Sequence, residues 1–233
     1  MLKYFFAFII LIHGLIHFMG FAKAFGYGNI TQLTKYISKA NGLFWFLVAI
    51  LFVMATVLFL LKKESWPYIA IIAAVISQIL IITVWKDAKF GSIANIIILI
   101  VAIAVWASQN FETHFRNDAK ANLLRTNNFQ TDLLTERDIK ALPFPVQKYL
   151  WYCGVVNKPK VTNIKIVFDG EMRDKGKDFF KFNSVQYNFF DNPARLFFMK
   201  AKMYGTRVPA YHCYQNAQAT MQVKLFGVFN VVN

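Results

Sequence analysis

Four long uncharged runs in the first half of the chain constrain its fold most strongly. At about 1.5 Å per residue, an α-helix of about 17–20 residues crosses a hydrocarbon layer roughly 30 Å thick. A backbone inside lipid must satisfy its own hydrogen bonds, so each run predicts a transmembrane helix. The runs, which contain no acidic or basic side chain, are Tyr4–Phe21, Leu43–Leu61, Trp66–Trp85 and Ser92–Ser108.

Composition argues against a soluble or disordered chain. Hydrophobic residues make up 57% of the sequence and charged residues 16%, whereas ordinary soluble domains have about 45–50% and 25%. Four buried helices of a soluble bundle are the alternative, but soluble helices carry a polar stripe that these runs lack. The first run is also longer than the apolar part of a signal peptide, and it is interpreted as a retained span.

The second half of the chain has a different pattern. It is basic, and after Pro159 apolar and polar residues alternate with a period of two, as in Ile164, Ile166 and Phe168. Such alternation predicts strands with one buried face. Five runs about ten residues apart leave no room for crossover helices, so they predict an antiparallel meander, preceded by a short helix over Val146–Tyr152.

The predicted fold class is therefore a membrane α-helical bundle of four transmembrane helices, followed by an α+β soluble domain with an antiparallel β-meander. The predicted domains are a transmembrane domain at 1–108, a tether at 109–135, and a short helix plus sheet at 136–233.

The predicted spans contain few strongly polar side chains. His13 and His17 are four residues apart and share one helix face. Gln78 and Asn95 lie at matching depths in the third and fourth spans, so we expect the four side chains to form an intramembrane polar layer. Three interpretations remain open: structural polar packing, a small-molecule or proton site, and a metal or haem site that uses His13 and His17.

Two further surfaces are candidate sites. Lys86, Asp87 and Lys89 follow the third span, and they predict a membrane rim that attracts anionic lipid or substrate, with interfacial anchoring plus a local ion pair as the alternative. The strand pattern also predicts an apolar sheet face. Its predicted members are Phe168, Phe179, Phe197, Met199 and Met203.

No recognised catalytic pattern is present. Phosphate-binding glycine loops, zinc-protease motifs and serine-hydrolase motifs are absent from the sequence, and no catalytic or cofactor-binding residue is predicted. Cys153 and Cys213 are interpreted as small apolar side chains, and a disulfide between them requires an oxidising compartment. The sequence therefore favours a non-enzymatic protein.

Three stretches carry a resemblance. They are HGLIHFMGFAKAFG at His13–Gly26, WKDAKFGSIANIIILI at Trp85–Ile100, and LPFPVQKYL at Leu142–Leu150 leading to Gly154. Together they resemble an uncharacterised family of bacterial multi-pass membrane proteins with a C-terminal β-domain. The resemblance implies architecture and a bacterial cytoplasmic membrane, and no activity. Members similar to this chain continue past KLFGVFNVV, so we expect the sheet to be incomplete at Asn233.

Two function classes follow. In the first, a non-enzymatic module binds an apolar or lipid-like ligand, or a partner protein, on its sheet. In the second, a small transporter or a metal- or haem-linked protein uses His13 and His17. The expected partners are the bilayer, anionic lipid or an apolar ligand; the scattered basic residues do not predict nucleic-acid binding. Lysine counts weakly favour an extracytoplasmic soluble domain.

Overall fold

The computed structural model describes residues 2–127, 132–173, 175–203 and 205–232. It divides into two compact units, Met1–Gln109 and Asn110–Asn233. Four long apolar helices are followed by an antiparallel sheet, which is the predicted fold class. Each long helix is long and apolar enough to cross a membrane.

Helices dominate the first unit, and the fifth continues into the second. The helices are α1 (Leu2–Phe25), α2 (Lys39–Leu60), α3 (Trp66–Thr83), the short α4 (Trp85–Ala88) and α5 (Gly91–Asn127). Ser38 caps α2, because its hydroxyl accepts a hydrogen bond from the backbone N–H of Asn41 at 3.2 Å. Pro67 stands in the first turn of α3, where its missing N–H costs nothing.

Glycines let α1 and α2 pack closely. A Cβ atom placed on Gly20 would lie 2.2 Å from Cδ2 of Trp45, and one on Gly14 would lie 2.7 Å from Cβ of Phe52. Gly42 of α2 faces α1 in the same way. Small residues at a helix interface bring the backbones together and allow large neighbours to fill the space, which is the usual packing mode of membrane helices.

The second unit contains the C-terminal part of α5, two short helices and one six-stranded sheet. The elements are α6 (Glu136–Ile139), α7 (Phe144–Tyr152), β1 (Asn163–Met172), β2 (Phe180–Phe189), β3 (Ala194–Met203), β4 (Thr206–Gln215), β5 (Gln218–Leu225) and β6 (Phe229–Val232). The strands follow one another in the sheet in chain order, and all neighbours are antiparallel.

The prediction of five strands was wrong by one. The last alternating run is divided into β5 and β6 by a turn in which Phe226 and Gly227 both have positive φ. Two consecutive positive φ angles reverse the chain within a tight hairpin. The apolar alternation continues through the turn, so periodicity alone did not show the reversal.

The predicted tether at 109–135 is also different in the structure. Residues up to Asn127 continue α5, and Phe111, Phe115 and Ala119 are buried against the sheet. Their spacing of four residues places them on one helix face. Residues 128–131 of the predicted tether, and the chain end at Asn233, lie outside the described residues.

Candidate functional site

The histidine pair is buried inside the first unit. His13 and His17 are 5% and 1% exposed, and their ring centroids are 4.8 Å apart with the rings nearly perpendicular. Because the two residues are four apart on α1, both side chains project from the same face of the helix. Phe52 packs against both rings, at centroid distances of 5.0 and 5.6 Å.

Both rings make hydrogen bonds with other helices. Nε2 of His13 lies 2.8 Å from Oδ1 of Asn95, and Nε2 of His17 lies 2.8 Å from Oγ of Ser77. The second nitrogen of His17, Nδ1, lies 2.8 Å from the backbone carbonyl oxygen of His13. These contacts connect α1 to α3 and α5, because Ser77 lies on α3 and Asn95 on α5.

The amide side chains complete a connected network. Nδ2 of Asn95 donates to Oγ of Ser77 at 3.0 Å and to Oε1 of Gln78 at 3.1 Å. Nε2 of Gln78 donates in turn to Oγ of Ser92 at 3.0 Å. The structure thus brings together His13, His17, Gln78 and Asn95. We use the name polar cluster for these four residues with Ser77 and Ser92.

An apolar cavity of about 490 Å³ adjoins the polar cluster. His13 and His17 are part of its lining, together with Trp45, whose buried Nε1 has no hydrogen-bond partner among the described residues. The other lining residues are mostly apolar: Phe5, Phe8, Ile9, Ile12, Ile16, Met19, Gln32, Leu33, Ile81, Asp87, Ala88, Phe90, Gly91 and Ala94. A cavity of this size, with a few converging polar groups, is typical of a small-molecule site.

Asp87 of the predicted rim holds the loop between α1 and α2. Its carboxylate accepts from the backbone N–H of Thr34 at 2.6 Å, from the Thr34 hydroxyl at 2.9 Å, and from the backbone N–H of Lys35 at 3.3 Å. Burial alone would raise the pKa of Asp87, but these hydrogen bonds outweigh it and lower the pKa. The Lys35 ammonium donates to the carbonyl of Thr83 at 3.1 Å, which closes the same end of the unit.

Among the described residues, Lys86 and Lys89 make no contacts comparable to the hydrogen bonds of Asp87. Lys86 adds an attractive charge near Asp87. The ammonium of Lys89 lies 5.3 Å from the ring centroid of Phe90, a cation–π contact. Binding of anionic lipid at this rim stays a prediction.

The sheet register puts most of the predicted apolar face together. Phe168 and Met199 both lie opposite Ser184, and the centroids of Phe168 and Phe197 are 6.5 Å apart. Met203 follows Met199 by four residues on β3, so the two side chains lie on the same face of the sheet.

Phe179 does not belong to that face as a strand residue. It precedes β2, and its ring contacts the guanidinium of Arg173 at 4.4 Å. Phe182 takes part instead: it lies opposite Gly170, where a Cβ atom would be 2.9 Å from its ring. A sequence pattern predicts the ends of strands only to within a few residues, and for this reason Phe179 was wrongly assigned to the strand face.

The opposite face of the sheet is covered by the C-terminal part of α5. Phe115 stacks on Phe198 at 5.1 Å, and the hydroxyl of Tyr211 donates to Asp118 at 2.7 Å. Burial of Tyr211, followed by its bond to Asp118, raises the pKa of the phenol. Both cysteines are free; Cys153 is exposed and Cys213 half-buried.

Metal binding has little support in this geometry. Among the described residues, no group of three or more His, Cys, Asp or Glu side chains is placed to hold an ion. Nε2 of His13 and Nε2 of His17 are both occupied by hydrogen bonds.

Comparison with known proteins gives a similarity for part of the chain. Residues 132–233 match DUF6544, a family of unknown function. The match covers the two short helices and the sheet, and it leaves out the part of α5 that covers the sheet. No curated protein and no solved structure matches the chain.

Proposed function

We propose that this chain is a multi-pass integral protein of the bacterial cytoplasmic membrane that binds a small lipid-soluble molecule. Four helices of spanning length and apolar composition support the membrane location. The observation that carries the binding function is the cavity of about 490 Å³ beside the polar cluster. Its walls match an apolar molecule, and its histidines offer a polar contact at one end.

The position of the cavity favours a ligand that arrives through lipid. Several of its lining residues on α1, including Phe5, Phe8 and Ile16, are also exposed on the outside of the helical unit. A large exposed apolar surface on a helix of spanning length is expected to contact acyl chains. A lipid-soluble molecule would therefore reach the cavity from the bilayer without crossing water.

The other function hypotheses remain predictions. Binding of an apolar ligand or a partner protein to the sheet face containing Phe168 and Phe197 has less support, because charged residues such as Glu112, Asp169 and Lys200 are prominent in the lining of the cavities described in the sheet unit. Transport through the helical unit would require a second conformation in addition to the one described above. Ligand binding in the cavity requires only the described arrangement, so it is the function that the geometry supports best.

The test is to fill the cavity and measure binding. Two lipophilic probes of similar size, 4-octylphenol and 4-octylanisole, would be titrated against the full chain in lipid nanodiscs, with empty nanodiscs subtracted. We expect saturable binding, and we expect Ala94→Phe to abolish it for both probes, because Ala94 lines the cavity. Ile100→Phe is the matched control, since Ile100 is exposed on the same helix and away from the cavity.

One result would overturn the proposal, and a folding control accompanies it. If Ala94→Phe binds both probes as the unaltered chain does, the cavity is not the binding site and the proposal is wrong. Unfolding midpoints of the two variants would be compared, so that a loss of binding is attributed to the filled cavity only when Ala94→Phe remains folded.

A further inference from the structure

We infer that the ligand of this cavity carries a hydroxyl group that donates a hydrogen bond to Nδ1 of His13. This inference rests on the proposed binding function and narrows it to a chemical class: a lipophilic alcohol or phenol.

His17 has only one possible arrangement of its proton when the ring is neutral. Its Nδ1 contacts the backbone carbonyl oxygen of His13, and a carbonyl oxygen can only accept, so Nδ1 carries the hydrogen. A neutral imidazole has one N–H, and a charged one is costly in an apolar interior. Nε2 of His17 is therefore an acceptor, and the Ser77 hydroxyl donates to it.

The orientation of Asn95 follows from Ser77. The single hydroxyl proton of Ser77 is used by His17, so Oγ must accept from its other neighbours. These are Nδ2 of Asn95 at 3.0 Å and, at the longer distance of 3.4 Å, Nε2 of His13. The amide oxygen of Asn95 then points to His13. Gln78 agrees with this orientation, because its Oε1 accepts the second hydrogen of Nδ2 and its own Nε2 donates to Ser92.

His13 consequently has the opposite tautomer from His17. Oδ1 of Asn95 can only accept, so Nε2 of His13 carries the hydrogen, and Nδ1 of His13 is a bare acceptor. That nitrogen has no hydrogen-bond partner in the part of the chain that the structure describes. The ring lines the cavity, and its Cε1, the carbon between the two nitrogens, would lie 3.5 Å from a Cβ on the wall residue Gly91.

The wall of the cavity thus presents an acceptor that needs a donor. Leaving a buried polar atom unpaired costs about 1–3 kcal/mol, and a ligand that supplies the missing partner removes that cost. A hydroxyl group can donate a hydrogen bond to this nitrogen, whereas an ether or a ketone can only accept. The bare Nδ1 of His13 therefore favours a ligand with a hydroxyl group over the corresponding ether or ketone.

The matched probes test this selection directly in the unaltered chain. 4-Octylphenol carries the hydroxyl, and 4-octylanisole replaces its hydrogen with a methyl group. We expect the phenol to bind about 10-fold more tightly, the ratio that one hydrogen bond to an otherwise unpaired group gives. His13→Phe should reduce that ratio to about 1, and His114→Phe, which changes an exposed histidine of the second unit, should leave it unchanged.

A second measurement does not depend on any variant being folded. The ¹⁵N spectrum of histidine-labelled full chain in nanodiscs separates protonated from bare ring nitrogens. We expect His13 to be protonated at Nε2 and His17 at Nδ1, and we expect the bare Nδ1 signal of His13 to shift when 4-octylphenol is added but not with 4-octylanisole.

The outcomes separate this inference from the proposed function. Equal affinity for the two probes, with Ala94→Phe still blocking both, would leave the cavity as the site and refute the hydroxyl class. A proton on Nδ1 of His13 would refute it as well. If Ala94→Phe blocks neither probe, the proposed function itself fails.

Discussion

The Ser77 hydroxyl is the centre of the polar cluster, because it is bonded both to His17 and to Asn95. Ser77 is fully buried on α3. A serine in a helix more often bonds a carbonyl of its own preceding turn, as Ser108 does with Ala104 at 2.9 Å. The sequence showed that Ser77 is polar, but not that it connects two helices.

Ser77→Ala should therefore destabilise the helical unit. The change removes the donor to Nε2 of His17 and the acceptor for one of the two Nδ2 hydrogens of Asn95, whose other hydrogen keeps its bond to Gln78. Leaving these buried groups unpaired costs roughly 1–3 kcal/mol. Ser108→Ala is the matched control and should cost about 0.5 kcal/mol or less, because the carbonyl that loses this bond keeps its helical partner. Thermal unfolding in detergent measures both, and equal midpoints would contradict the network.

Close packing at single glycines gives a second prediction. Gly20→Ala would place its Cβ 2.2 Å from the rigid indole of Trp45, so a helix or the ring must shift, at roughly 1–3 kcal/mol. A Cβ on Gly91 would come within 2.8 Å of the flexible end of Ile81 and would lie at an ordinary contact distance of 3.5 Å from the His13 ring, so Gly91→Ala should cost less than about 1 kcal/mol. The difference in unfolding midpoint checks this order, and the reverse order would show that α1 and α2 do not pack as described.

At the scale of elements, the C-terminal part of α5 supplies the half of the sheet unit's core that the sequence pattern does not reveal. The period of two predicted the strands and their faces, because each strand shows its own alternation. The helix was harder to read, because polar residues separate the spaced apolar residues Phe111, Phe115 and Ala119. Their role depends on contact with the sheet, which a local pattern does not contain.

An ion-pair group fixes this helix to the sheet. Glu112 contacts the ammonium of Lys200 on β3 at 2.5 Å and the guanidinium of Arg116 at 2.8 Å. Burial alone would raise the pKa of Glu112, but the hydrogen bonds and charges of Lys200 and Arg116 lower it below its usual value. A lowered pKa in the folded state contributes stability above the unfolded-state pKa, and that contribution is lost as pH falls through the folded-state pKa.

Glu112→Gln should therefore destabilise the protein in a pH-dependent way. At pH 7 we expect a loss of about 1 kcal/mol, which shrinks below about pH 4 as the unaltered carboxylate is protonated. Glu171→Gln is the control, since Glu171 is half-exposed and its contact with Lys181 is 3.6 Å, an exposed pair of little value. Unfolding midpoints between pH 3 and 7 measure the effect; a pH-independent loss would refute the electrostatic explanation.

At the scale of the whole molecule, one chain combines a helical unit of membrane composition with a basic sheet unit. The two kinds of unit were predictable because hydropathy and charge change sharply along the sequence. The cavity was not, because it depends on how the loop at 26–38 folds near Ala88 and Phe90, and a single sequence gives no such contact. Trp45 is flanked on α2 by apolar residues, so the sequence gave no signal that it lines a site.

Membrane integration is the first prediction at this scale. The four long helices expose many large apolar side chains, and in water that surface would be strongly unfavourable. After an alkaline carbonate wash the chain should remain in the membrane pellet, while a peripheral protein of the same cells serves as the control and is released. Recovery of the chain in the supernatant would show that the helices do not span.

The second prediction at this scale concerns the side of the membrane on which the sheet unit lies. An even number of spans places both termini on the same side of the membrane. Lysines outside the four uncharged runs then number five on the opposite side and three on the terminal side, when residues after the last run are left out. Cytoplasmic loops of membrane proteins are enriched in lysine and arginine, so this count favours an extracytoplasmic sheet unit. The five are Lys23, Lys35, Lys39, Lys86 and Lys89, and the three are Lys3, Lys62 and Lys63.

Cys153 offers a direct measurement of that side. It is exposed, whereas Cys213 is half-buried and burial raises the pKa of its thiol, so Cys153 should react first with a maleimide. We expect a membrane-impermeant maleimide to label intact spheroplasts, and Cys153→Ser to remove most of the label while Cys213→Ser keeps it. Labelling that occurs only after the membrane is permeabilised would place the sheet unit in the cytoplasm and contradict the lysine count.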